Sequence, residues 1–114
     1  MRGERERLQD ILDAIARIQT EAAKGREVFE RDEMVQVWMV HHLMIIGEAV
    51  RALDPAFKQK HPAVPWRLIA AMRNVIVHDY FRINHRVVWD TVVQHMAPLK
   101  LQVEEILARE PETN

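Results

Sequence analysis

Apolar residues along this chain recur at steps of three and four, the spacing of a helix face and not of a strand, and only three glycines interrupt them. The pattern predicts an all-α fold, an up-and-down bundle of four to five helices. In the first segment Leu8, Ile11, Ile15, Ile18 and Ala22 form one stripe that stops near Gly25. Asp32 is placed to cap a second helix carrying Met34, Val37, Trp38, His41, Met44, Ile45 and Val50, closed before Asp54 and Pro55. The stretch from Asp54 to Val64, with two prolines, reads as an irregular connection. Pro65 suits the first turn of a third long helix, whose core stripe is Leu68, Ile69, Met72, Val75 and Ile76. Asn84 is placed to cap the last one, where Trp89, Val92, Met96, Leu99, Val103 and Ile106 make a bundle seam and Pro98 removes one backbone donor.

With 114 residues and 48% hydrophobic content, the chain supports one core, so residues 1–114 are expected to form a single domain with a frayed tail at 110–114. No cysteine occurs, which excludes disulfides and thiolate metal sites. The charged start MRGERERLQD and the lack of a long apolar run point to a cytoplasmic protein without a membrane partner. The net charge is −1, so any anion site must be local. One basic segment stands out: between Ala56 and Arg86 lie Lys58, Lys60, Arg67, Arg73, Arg82 and Arg86 against Asp79 alone. It reads either as a polyanion site or as a solvated face.

Inside that segment is RNVIVHDY, Arg73 to Tyr80. A permanently cationic arginine, a histidine able to shuttle a proton and a phenol within eight residues can bind a phosphate and move a proton. The competing reading makes Arg73 and His78 caps of a helix C-terminus and Tyr80 a half-buried core residue. By helical register Tyr80 lies about 20° from Arg73, whereas His78 is turned about 140° from it and pairs with Asn74 at i, i+4. Arg73 and His78 therefore cannot converge on one straight helix. Either the helix unwinds or a two-fold dimer supplies the missing group.

RNVIVHDY resembles the R-x4-H-x-Y motif of HepT-type toxins in the HEPN superfamily. IGEAV from Ile46, VPWRLIAAMRN from Val64 and INHRVVWDTV from Ile83 fit the same family's order, so that the resemblance covers about Asp32 to Leu107. Ala71 and Asn84 stand where the family often has glycine and aspartate. The resemblance implies an HEPN-like bundle acting as a homodimer: a metal-independent endoribonuclease toxin of a type VII toxin–antitoxin module, with no cofactor. Its partner would be a MntA-type nucleotidyltransferase antitoxin that adenylylates Tyr80. Arg73 and His78 would be catalytic, and Asn74 would orient His78 or bond a phosphate oxygen. Arg82, Arg86, Lys58 and Lys60 would contact RNA. The alternative is a silent HEPN module that binds a nucleotidyltransferase partner or a nucleotide.

Glu48 lies in an apolar stretch, where a carboxylate calls for a cation such as Arg73 or a neighbouring arginine; exposure to water is the competing reading. Gly47 beside it suits close helix packing. His41 and His42 are adjacent and cannot face one metal from a helix. Trp38, Trp66 and Trp89 read as packing residues.

Overall fold

The computed structural model describes residues 3–76 and 84–109, with the backbone alone described for 73–76. Among these residues every regular element is an α-helix: α1 Glu4–Ala22, α2 Arg26–Arg31, α3 Glu33–Ala52, α4 Pro55–Lys60, α5 Trp66–Ile76 and α6 His85–Arg109. The four long helices are those the pattern predicts. Two short ones take the count to six, and both arise from capping chemistry too local for a periodicity argument. Gly25 sits at φ 99°, in the left-handed region, and turns the chain into α2, which buries Phe29. The stretch after Asp54 is not wholly irregular: Asp54 accepts a bond from the Ala56 amide at 2.8 Å and Pro55 starts α4.

Asp32 caps α3 as expected, its carboxylate accepting from the amides of Met34 at 2.9 Å and Val35 at 3.3 Å. Asn84 caps α6, with Oδ1 3.2 Å from the Val87 amide. The predicted stripes of α1 and α6 are the buried ones: Leu8, Ile11, Ile15 and Ile18, and Val92, Met96, Leu99, Val103 and Ile106. Trp89 is only half-buried, and Val88 takes the core position beside it.

The α3 stripe is corrected. Its buried face is Val35, Met39, Leu43, Ile46 and Val50, while Met34, Val37, Trp38 and His41 face solvent. This helix is apolar nearly all round, so its sequence offers two competing stripes; packing against α1 and α5 selects one. Trp38 is consequently exposed instead of packed, whereas Trp66 is buried. Leu68 on α5 is likewise 56% exposed, not part of the core, although Ile69 and Met72 are buried.

The core is one cluster in which α1 packs on α3, α3 on α5 and α1 on α6. A closed four-helix ring would add α5 on α6. Among the described residues α5 and α6 share the buried cluster through Ile69, Met72, Val88, Val92 and Leu99, and a groove runs between them on the outside. The start of α5 is held from two sides. The Trp66 indole donates to the carbonyls of Lys58 at 3.1 Å and His61 at 3.0 Å, and Gln102 of α6 donates to the Ala63 carbonyl at 3.1 Å.

Candidate functional site

Helix α5 delivers the motif. Its backbone is helical through Ile76, so Arg73 and Asn74 occupy its last described turn, and α6 begins at His85. His78, Tyr80 and Arg82 lie outside the described residues, as do the side chains of Arg73 and Asn74. By register, position 73 is turned about 140° from Leu68 but only about 40° from Ile69, and both line the groove between α5 and α6.

The rest of the basic set is distributed over three elements. Arg86 is exposed in the first turn of α6, two residues after the Asn84 cap. Lys60 is exposed at the end of α4. Lys58 is partly committed to structure, its ammonium donating to the Val50 carbonyl at 3.3 Å in the last turn of α3, where a cation also meets the helix dipole. Its availability to a phosphate is reduced accordingly.

Glu48 stands on the exposed side of α3, with Arg51 one turn along at 3.8 Å and both side chains more than half exposed. The desolvation argument that called for a buried cation therefore does not apply to it. Gly47, next to it, is buried, as close packing requires. His42 is buried with Nδ1 2.8 Å from the Trp38 carbonyl, and its ring lies against those of Trp38 and His41. Among the described residues no three His, Cys, Asp or Glu side chains converge as a metal site would need. No helix among them is long and apolar enough to cross a membrane.

Two features were missed by residue-by-residue reading. His85 meets the edge of Phe29 at 6.0 Å and 85°, and Trp89 stacks on Phe29 at 5.3 Å, so that α2 braces the start of α6 just beyond the motif. Thr91, His95 and Gln102 share one side of α6 and border that groove. Their i, i+4, i+11 spacing was visible in the sequence, but only the groove between α5 and α6 gives it meaning.

These observations define a class: a small helical bundle with an arginine-histidine-tyrosine motif in its sequence that begins in the last described turn of α5. The chain belongs to the HepT-like ribonuclease family, whose model matches residues 11–106. It is 43% identical over 84 residues to a candidate RNase of Caldanaerobacter subterraneus subsp. tengcongensis, covering 74% of this chain and 75% of that protein. It is 36% identical over 106 residues to a candidate HepT ribonuclease of Thermococcus cleftensis, covering 92% of this chain and 96% of the relative. No solved structure gives a significant match.

Proposed function

We propose that this protein is the ribonuclease toxin of a type VII toxin–antitoxin module, cutting RNA without a metal at a site built by a homodimer. The observation that carries the reading is membership of the HepT-like ribonuclease family together with an intact R-x4-H-x-Y motif whose arginine lies in the last described turn of α5. In such a cut the ribose 2′-oxygen attacks phosphorus while its proton is removed, and the departing 5′-oxygen receives a proton. Charge accumulates on the non-bridging phosphate oxygens between these events. His78 performs the proton transfers and Arg73 neutralises the oxygens, with Asn74 holding His78 or a phosphate oxygen. Arg82, Arg86 and Lys60 supply backbone contacts along the RNA, with Lys58 a weaker contributor.

The homodimer reading draws support from two features. Positions 73 and 78 are turned about 140° apart on a continuous helix, so one copy cannot aim both at one phosphate without unwinding. The exposed apolar residues Met34, Val37 and Trp38 form a stripe on α3 that a second copy would remove from water. The partner is a MntA-type nucleotidyltransferase antitoxin that transfers adenylate to the Tyr80 hydroxyl. Each added phosphodiester then puts an anion beside Arg73, where the substrate phosphate must sit.

The test is cleavage of a defined RNA by the purified protein in the presence of a chelator, compared with His78→Ala. Cleavage by the parent and none by the variant is the expected result. A parent that binds the nucleotidyltransferase but cuts no RNA would make the chain a silent HEPN module.

A further inference from the structure

The groove between α5 and α6 has a defined shape and chemistry. Between α5 and α6 lies a trough enclosing about 220 Å³, with Ile69, Met72 and Leu99 among its apolar lining and Thr91, His95 and Gln102 along its α6 wall. A second depression shares Pro65, Leu68 and Ala71 with it and extends the surface past Lys58 and Arg67. Leu68, 56% exposed, stands where the two meet. The described residues lining either depression include no carboxylate. From Pro55 to Ile76 the chain carries Lys58, Lys60, Arg67 and Arg73 and no acid at all.

We propose that this trough receives an amphipathic helix from a second, different protein, one with apolar residues along one stripe and carboxylates beside it. The shape calls for a helix because the trough runs between two helices of a bundle: α1, α3, α5 and α6 surround one core, and among the described residues a groove remains between α5 and α6. A helix laid there meets apolar side chains at i, i+3, i+4 and i+7 spacing from both walls.

Charge selects the partner. A second copy placing its own α4–α5 surface here would set cations against cations, whereas an acidic helix gains complementarity with Arg67. RNA matches the cations but not the floor, because a phosphate seated on Leu68, Ile69, Met72 and Leu99 loses its water without compensation. By register, position 73 stands about 40° from the trough residue Ile69 and one turn further along α5, so a helix docked on Leu68 and Arg67 approaches the candidate catalytic turn.

The experiment is selection of helical peptides from a displayed library on the immobilised full chain, with counter-selection on Leu68→Glu. The enriched peptides should be acidic, with apolar residues at i, i+3 or i+4, and i+7. Their affinity should fall at least about tenfold on Leu68→Glu and on Arg67→Glu, with circular dichroism and light-scattering mass unchanged in both variants. Four results would each overturn the proposal. They are the loss of all binders in counter-selection, enrichment of neutral or basic peptides, a drop in solution mass on Leu68→Glu, which gives the trough to a second copy, and displacement of the peptides by single-stranded RNA, which gives it to substrate. Cleavage is measured separately, so failure here is distinct from failure of the ribonuclease reading.

Discussion

At Trp66 one indole nitrogen serves two carbonyls, those of Lys58 and His61, and so ties the turn after α4 to the start of the helix that carries Arg73. Trp66→Phe keeps most of the apolar volume but strands both acceptors, and should lower stability by about 1 kcal/mol in urea titration. Asp32→Ala, which removes the cap of α3, should cost a similar amount, about 1 kcal/mol. The motif residues behave differently under the proposed chemistry. Arg73→Ala and His78→Ala should each abolish RNA cleavage while shifting the melting temperature little; a His78→Ala protein that fails to fold would make that histidine structural. Tyr80→Phe should stay toxic in cells that also express the antitoxin, and adenylate mass should appear on the Tyr80 peptide of the parent alone. Full neutralisation of Tyr80→Phe would move silencing to another route.

Among the elements, α5 separates buried from exposed apolar residues within one turn. Met72 is buried and Leu68 is not, although both belong to the stripe that its spacing predicts. Met72→Ala should therefore cost about 2 to 5 kcal/mol by opening a cavity, and Leu68→Ala less than about 0.5 kcal/mol because water already reaches that side chain. Equal losses in denaturant midpoint would mean that the groove is closed in solution. In α6, Pro98 is exposed at a helix-interior position. Proline there removes one backbone bond and crowds the preceding turn, so Pro98→Ala should raise the melting temperature, with a gain bounded by roughly 3 kcal/mol.

For the molecule as a whole, the proposed dimer and the proposed docking helix use different surfaces. The apolar stripe of α3 contains Met34, Val37 and Trp38, whereas the trough lies between α5 and α6. Trp38→Glu should convert a dimer to a monomer in light scattering and abolish cleavage with it, while Leu68→Glu should leave the dimer intact. A protein already monomeric at micromolar concentration that still cleaves RNA would remove the composite site. Raising salt should weaken RNA binding steeply, because several Lys and Arg side chains would release counterions from the phosphates. The dimer, held by apolar area, should respond far less.

The all-α class, the four long helices, the Asp32 and Asn84 caps and the core faces of α1 and α6 were legible in the sequence because each is set by residues within a turn or two of one another. A cap needs one side chain and two amides; a single amphipathic stripe has one solution. The motif was legible for the same reason: its residues are consecutive, and its chemistry is fixed by their types. What tertiary structure alone decided was every choice between near-equal alternatives. Helix α3 is apolar on nearly all sides, and only packing against α1 and α5 buries Met39 and Leu43 and leaves Trp38 outside. Leu68 has the spacing of a core residue, yet its exposure depends on whether α6 closes over α5, a contact between distant parts of the chain. The groove between α5 and α6 is likewise invisible to periodicity, since it lies along a face that the local pattern already marks as apolar.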